Sequence, residues 1–235
     1  MSRLVPLAQA DNGFFRERTD SCVTDNGFCP GWFFEHIDRY TTPFLQHVFL
    51  TVTSVAIGFV IAFSLAVAAH RRRWLVGPVT NVTGILYTLP SVAVFFLLLP
   101  ITGRGNLTAI IALTSYTLLI LFRNVLAGLD GVPDDARDAG RGMGLTERQL
   151  LWRVELPLSL PAIMAGLRIA TTTTVGLAAL AFFAGAGGLG EPLEAQKAFK
   201  TNVVFAGGLC VLLAVVLDAV ILLVQRSMTP WTRVA

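Results

Sequence analysis

One glycine-rich stretch has the spacing of a nucleotide-binding loop. Gly185, Gly187 and Gly190 satisfy the Gly-x-Gly-x-x-Gly pattern that holds a pyrophosphate at the start of a helix. However, no strand is predicted before these glycines, and no acidic residue for a ribose follows at the required distance. Glu191 and Pro192 also stand where a phosphate loop needs Lys and then Ser or Thr. We therefore predict that this chain does not bind ATP itself and that the glycines form a tight turn.

The histidines and cysteines do not have the spacing of a metal or nucleophilic site. His36, His47 and His70 are scattered, so neither a metal cluster nor a catalytic triad can be assembled from them. Cys22 and Cys29 have no further ligand nearby, which leaves two interpretations: a short-loop disulfide in an oxidising compartment, or two free thiols. We predict that the chain is not an enzyme, with an intramembrane enzyme kept as a remote alternative. His47 is predicted to be a membrane-interface residue or, alternatively, a pathway residue.

A polar segment at 134–157 has the pattern of two short helices joined by a bend. Acidic and small residues after a proline favour a helix that begins near residue 134. Gly142 and Gly144 interrupt that helix. Thr146, followed by glutamine three residues later, has the spacing of a capping box and starts a second short helix. We predict that Pro157 ends this second helix.

The elements around this segment are long and apolar. The chain has 235 residues, of which 54% are hydrophobic and 14% charged, against roughly 25% charged in a soluble domain. Backbone polar groups in lipid must bond within a helix, so we predict an all-α integral membrane protein with about five transmembrane helices. The net charge is +3, but the basic residues lie in short clusters between apolar runs. We therefore expect no nucleic-acid partner. The predicted spans lie at residues 43–69, 75–103, 105–122, 162–185 and 202–224.

Arginine positions predict the orientation of these spans. Basic residues stay preferentially in the cytoplasm, and an arginine triplet follows the first span at 71–73. Five further arginines lie between residues 123 and 153, so both tests place the polar segment inside the cell. We therefore predict a multi-pass membrane protein with its N-terminus outside the cell and its C-terminus inside.

The same argument divides the chain into three parts. Residues 1–41 are polar and form an external N-terminal arm, in which Trp32, Phe33 and Phe34 are predicted to anchor at the lipid headgroups or to dock an external partner. Residues 42–227 form the transmembrane domain, with a cytoplasmic loop at 130–157. Residues 228–235 form a cytoplasmic tail.

The loop resembles the cytoplasmic signature of binding-protein-dependent ABC importer permeases, which reads Glu-Ala-Ala, three residues, Gly, nine residues, Ile-x-Leu-Pro. Its spacing matches throughout, with Asp in place of Glu, Gly in place of the second Ala and Val in place of Ile. The resemblance implies a type I ABC importer permease core whose coupling helix docks on a separate ATPase subunit. The positions that carry the expected ATPase coupling are Asp138, Ala139, Gly140, Gly144, Leu145, Leu156 and Pro157.

Other motifs after residue 42 are similar to permeases for glycine betaine, choline and carnitine. They lie at residues 46–54, 87–91, 142–144, 152–157 and 185–190. Methionine and amino-acid permeases share this core, so a permease for those solutes remains an alternative, as does a gated channel that needs no ATPase. The resemblance implies a cytoplasmic ATPase dimer that carries ATP and Mg, an external solute-binding protein, and a second permease. We prefer a second permease of different sequence, with an identical copy as the alternative.

Polar residues inside the predicted spans are candidates for the transport pathway. A run of hydroxyls, Thr171, Thr172, Thr173 and Thr174, lies in the fourth span, and a proline break at Pro90 and Ser91, preceded by Tyr87, lies in the second. Ordinary helix packing explains both features equally well. Asp218 in the fifth span is predicted to pair with a basic residue near the inner interface or to face the pathway.

Overall fold

The structure is a computed structural model that describes residue 22 and residues 25–229. The first twenty-one residues of the predicted arm and the last six residues of the predicted tail lie outside the described residues. The described residues contain no β-strand. The helices are α1 (Pro30–Glu35), α2 (Asp38–Arg71), α3 (Val76–Thr88), α4 (Ser91–Thr102), α5 (Asn106–Asp130), α6 (Asp134–Gly142), α7 (Glu147–Leu150), α8 (Leu156–Ala178), α9 (Gly190–Ala195) and α10 (Lys200–Met228).

Four continuous helical segments are long and apolar enough to cross a membrane. They are α2, α5, the combined segment Glu147–Ala178, and α10. The pair Arg73–Thr88 and Ser91–Thr102, which is bent by 98°, adds a fifth span if it is counted as one broken span. The prediction of an all-α membrane protein with about five spans is therefore confirmed.

The bend in the second span lies at Pro90. Leu89 has an extended backbone, with a ψ of 138°, because the ring of a following proline disfavours the helical conformation. Pro90 then caps α4, and its carbonyl accepts the first hydrogen bond of that helix, from the N–H of Val94. The sequence had predicted one span with a proline break, and the structure shows that the break turns the chain almost at a right angle.

The prediction that Pro157 ends the second loop helix is wrong. Helical structure runs from Glu147 to Ala178, through a π-helical turn at Leu151–Glu155. In this turn the N–H of Leu156 donates to the carbonyl of Leu151, five residues back. Pro157 is the second residue of α8, directly after this π-helical turn. The helix that carries the fourth span therefore begins well before the predicted residue 162.

Helices α2, α5 and α8 form the centre of the bundle. Their contacts at one end are made largely by alanines of α2 and by larger side chains of α5, including Leu121 and Phe122. Small residues allow the backbones to approach closely. A Cβ added to Gly58 of α2 would lie 1.9 Å from the Oγ1 of Thr117 on α5. The absence of a side chain at Gly58 therefore allows α2 to approach α5 closely at this point.

Helix α1 folds back against α10. Cys22 and Cys29 form a disulfide, and the N–H of Cys29 donates to the Oγ1 of Thr201 at 2.6 Å. Phe33 stacks on Phe205 of α10, with ring centroids 3.8 Å apart. Trp32 and Phe33 are buried, and Phe34 is exposed. The predicted membrane-surface or docking role is therefore wrong for Trp32 and Phe33, because α10 covers both rings.

Candidate functional site

The loop between α5 and α8 has the helix–bend–helix form that its sequence indicates. Helix α6 begins at Asp134 directly after Pro133, and it ends at Gly142. Gly144 has a φ of +80°, which turns the chain away from the axis of α6. Thr146 then starts α7 with both bonds of a capping box: its N–H donates to the Gln149 side chain at 2.9 Å, and its Oγ1 accepts from the Gln149 N–H at 3.4 Å. The predicted starts and the predicted bend are confirmed.

The loop has an inner face and an outer face. Gly140 is buried, and a Cβ at this position would lie 2.6 Å from the Cδ1 of Leu150, so α6 packs closely on α7. Leu156 is also buried. Asp138 and Ala139 are exposed on α6, and Asp138 forms only a 3.5 Å ion pair with Arg141. Of the remaining signature positions, Leu145 and Pro157 are half-buried and Gly144 is exposed.

Two large apolar side chains lie exposed on this otherwise charged loop. Met143 is 74% exposed at the end of α6, and Trp152 is 57% exposed on the π-helical turn. Met and aromatic side chains are enriched in the surfaces that bind other proteins. Sequence analysis did not select either residue, because an isolated Met or Trp has no diagnostic spacing.

Ionic contacts join the loop to the ends of the membrane helices. Arg137 of α6 donates from Nε to Glu155 at 2.9 Å and from Nη1 to Asp134 at 2.9 Å. His70 of α2 bonds Asp130 of α5 at 2.7 Å. Burial lowers the pKa of the Arg137 guanidinium, but the hydrogen bonds and charges of Glu155 and Asp134 outweigh burial and hold that pKa above its usual value. Beside these residues lies a cleft of about 490 Å³. Sequence analysis did not find this network.

The glycine run after α8 forms the predicted tight turn. Gly185, Gly187 and Gly188 have φ values of +73°, +72° and +89°, which side chains rarely adopt. A Cβ on Gly190 would lie 1.6 Å from the carbonyl oxygen of Ala179. The glycines are therefore explained by backbone conformation and by close packing.

His47, predicted to be a membrane-interface residue or a pathway residue, is fully buried beside this turn. Its Nδ1 accepts a hydrogen bond from the N–H of Leu189 at 3.2 Å. Its Nε2 lies 2.9 Å from the carbonyl oxygen of Val175, which requires a proton on Nε2. The ring thus bonds α2 to α8 and to the glycine turn, and its role is structural.

The four threonines of α8 differ in their surroundings. Thr171 and Thr174 are buried, and each hydroxyl donates to the carbonyl four residues earlier in the same helix, at 2.7 Å. The hydroxyl of Thr172 also donates within α8, to Arg168 at 3.0 Å. Thr172 and Thr173 are half-buried.

The break between α3 and α4 lies against α5. The hydroxyl of Tyr116 donates to the carbonyl of Leu89 at 2.7 Å, and the Tyr87 ring lies 6.2 Å from the Tyr116 ring. Tyr87 and Pro90 are exposed and Ser91 is half-buried. The bent segment therefore presents polar groups and an aromatic ring on an accessible surface.

Asp218 pairs with Arg168 within the predicted spans. The two side chains join α10 to α8 through two parallel hydrogen bonds, Nε to Oδ1 at 2.7 Å and Nη2 to Oδ2 at 2.8 Å. The predicted pairing of Asp218 with a basic residue is observed, and that residue is Arg168. Arg168 is 50 residues away, so only the packing of α8 on α10 brings the two charges together.

Comparison with known proteins identifies the family. The family described as "binding-protein-dependent transport system inner membrane component" matches residues 48–233. The chain belongs to this family. It is an ABC importer permease, as the sequence of the loop predicted.

Three curated relatives cover most of the permease. It is 34% identical over 187 residues to the glycine betaine/carnitine/choline transport system permease protein OpuCB of Bacillus subtilis, covering 79% of this chain and 86% of OpuCB. It is 38% identical over 192 residues to the osmoprotectant import permease protein OsmW of Salmonella typhimurium, covering 79% of this chain and 89% of OsmW. It is 34% identical over 190 residues to the glycine betaine/carnitine/choline transport system permease protein OpuCD of Bacillus subtilis, covering 80% of this chain and 83% of OpuCD.

The fold matches a solved type I importer. An inward-facing structure of the MetNI methionine ABC transporter aligns with a TM-score of 0.67 and 24% sequence identity, covering 79% of this chain and 92% of the solved chain. At this level of identity the match concerns the fold alone. The predicted type I permease architecture is thus confirmed.

Proposed function

We propose that this permease carries quaternary ammonium osmoprotectants, such as glycine betaine, choline or carnitine, in an ATP-driven importer. The observation that carries the proposal is 34–38% identity, over about four-fifths of the chain, to permeases named for these solutes. The described residues add the exposed Tyr87 ring at the bend of the second span. Aromatic faces attract quaternary ammonium groups.

The outer face of the loop is the proposed dock for a cytoplasmic ATPase dimer, which would bind ATP and Mg on its own residues. Asp138, Ala139, Met143 and Trp152 are all exposed and belong to one short loop. Gly140 and Leu156 face inward, so we assign them to the packing that holds the dock in shape. No covalent chemistry is proposed for the permease itself.

The proposed orientation has the N-terminus outside and the loop inside. Arginines 71–73 and the arginines of the loop lie at the same end of the bundle, since Arg73 pairs with Asp130 at the start of the loop. In this orientation α1 and its disulfide are external, where an oxidising compartment would maintain the bond. We retain residues 1–41 as the external arm, 42–227 as the permease domain and 228–235 as the cytoplasmic tail.

Two further partners complete the proposed importer. An external solute-binding protein would deliver the solute, as the description of the family implies. A second permease would form the other half of the pathway. We favour a second permease of different sequence, because OpuCB and OpuCD of Bacillus subtilis bear the same transport-system name and both resemble this chain.

The proposed pathway follows the polar groups of the bent segment and of α8. Tyr87, Pro90 and Ser91 are accessible in the single chain, and so is part of Thr173. The hydroxyls of Thr171, Thr172 and Thr174 donate to carbonyls of their own helix. We therefore assign these residues to the structure of the helix that borders the pathway and not to direct contact with the solute. Asp218 would contribute to the pathway indirectly, because its ion pair with Arg168 joins α10 to α8. ATP would favour the outward-open state by binding it more tightly than the inward-open state.

The test measures ATP hydrolysis by the complete importer in nanodiscs, with its solute-binding protein and a panel of solutes. We expect glycine betaine, choline or carnitine to stimulate hydrolysis, and methionine and histidine to leave it at the basal rate. Stimulation by methionine or histidine alone would favour the alternative of an amino-acid or methionine permease. Solute flux without an ATPase subunit would favour a gated channel.

A further inference from the structure

Helix α6 has few apolar contacts with the rest of the permease. Of its nine residues, Gly140 is the only buried one, and glycine has no side chain to pack. The other positions of α6 carry three aspartates, two arginines and small residues. Apolar packing of this helix is therefore concentrated at Gly140, against Leu150 of α7, although a coupling helix has to resist the force that an ATPase applies to it.

Arg137 supplies the missing attachment. Its Nη2 donates to the carbonyl of Leu129 at 2.7 Å, at the end of α5. Its Nε donates to Glu155 at 2.9 Å, in the π-helical turn that leads into α8. Its Nη1 donates to Asp134 in its own helix. The side chain is 15% exposed and that of Glu155 is 9% exposed, so water competes weakly for these bonds.

A second layer of contacts extends this attachment to α2. The Nε2 of His70 lies 3.5 Å from the same Glu155 oxygen that Arg137 contacts. The Nδ1 of His70 lies 2.7 Å from Asp130, and Arg73 holds the other Asp130 oxygen at 2.6 Å. The ends of α2 and α5 and the turn that leads into α8 thus meet α6 through one connected set of polar contacts.

We propose that Arg137 is a positioning residue that fixes α6 to the ends of α5 and α8, so that movement of α6 is transmitted to both helices. The inference rests on the proposed function, in which an ATPase moves α6. The planar guanidinium is suited to the role because it donates in several fixed directions at once. A lysine at this position would carry the charge but would not reproduce the forked geometry.

The test compares Arg137→Met with wild type in the reconstituted importer and measures solute imported per ATP hydrolysed. A variant that only reduces the amount of folded protein lowers import and hydrolysis together and leaves this ratio unchanged. We expect the ATPase to copurify and the ratio to fall at least about tenfold, the factor that corresponds to about 1.4 kcal/mol of lost coupling. Arg137→Lys should give an intermediate ratio. Arg72→Met, which removes an exposed arginine at the end of α2, is the matched control and should leave the ratio unchanged.

A wild-type ratio in Arg137→Met would overturn the proposal. If that variant fails to assemble, Glu155→Ala decides the question, because it removes the acceptor of the Arg137 Nε and leaves Arg137 in place. A reduced ratio in Glu155→Ala supports the proposal, and a wild-type ratio contradicts it.

A second readout does not depend on the transported solute. Nitroxide labels at the exposed positions Asp135 of α6 and Arg123 of α5, in a Cys210→Ala background, report the distance between the two helices. We expect a narrow distribution with Arg137 and a distribution at least about twice as broad in Arg137→Met. Equal widths contradict the proposal. If the wild-type importer imports no osmoprotectant but the distance distribution is still broader in Arg137→Met, only the proposed substrate is contradicted.

Discussion

Gly144 provides a direct test of how the coupling loop is shaped. Its φ is +80°, and no described atom lies within 4 Å of the place where a Cβ would be. A side chain therefore has room in the permease alone, and the conformation is what disfavours it. Two substitutions separate conformation from space, because asparagine tolerates a positive φ better than alanine does but is the larger residue.

The expected effect follows from the backbone geometry. An L-residue in the left-handed region costs roughly 1–2 kcal/mol. If the ATPase binds only the observed conformation and the substituted loop relaxes from it in the free permease, Gly144→Ala should weaken binding by about 5- to 30-fold. Gly144→Asn should lose less. Gly142→Ala is the matched control: this glycine also has open space, but it closes α6 without a positive φ, and its loss should change binding by less than about twofold.

The assay is equilibrium binding of the purified ATPase subunit to the permease in nanodiscs. We expect the affinity to fall in the order wild type, Gly144→Asn, Gly144→Ala. Weaker binding by Gly144→Asn than by Gly144→Ala would contradict the role of the positive φ, since that order means that the ATPase requires the absence of a side chain. Equal affinity in all variants would refute the assignment of the dock.

Two further predictions concern the helix bundle. Gly58→Ala should destabilise the permease by roughly 1–3 kcal/mol through overpacking against Thr117, and Thr117→Ala should partly rescue it. Gly208→Ala, at an open position inside α10, should not destabilise the permease. Thermal unfolding in detergent measures these effects. An unchanged midpoint in Gly58→Ala contradicts the close approach of α2 and α5. Asp218→Ala should lower the amount of folded permease and its transport activity, because it leaves Arg168 unpaired in the membrane, and exchanging the two residues should restore part of both. A functional Asp218→Ala permease would show that the pair is dispensable.

Features governed by local sequence were predictable. The spans follow from hydropathy, and the bend at Gly144 and the cap at Thr146 follow from the conformational preferences of single residues. Pro157 misled the prediction because a proline usually ends a helix. Here it falls in the first turn of α8, after a π-helical turn whose bonds reach one residue further back.

Features governed by contacts between distant residues were not predictable. Arg137 and Glu155 are 18 residues apart, and Arg168 and Asp218 are 50 apart, so neither pair has a periodic signature. The covering of Trp32 by Phe199 depends on α1 folding back onto α10. Such contacts depend on which helices pack against one another. The spacing of apolar residues along one helix does not specify that arrangement.

The most direct test of the central claim is uptake of labelled solute by proteoliposomes. The complete importer would be reconstituted with ATP inside the vesicles and the loaded solute-binding protein outside. We predict accumulation of glycine betaine, choline or carnitine that requires hydrolysable ATP, and its loss when Gly144→Arg disrupts the coupling loop. Equal accumulation without ATP, or full ATP-dependent uptake by Gly144→Arg, would contradict a permease driven through this loop.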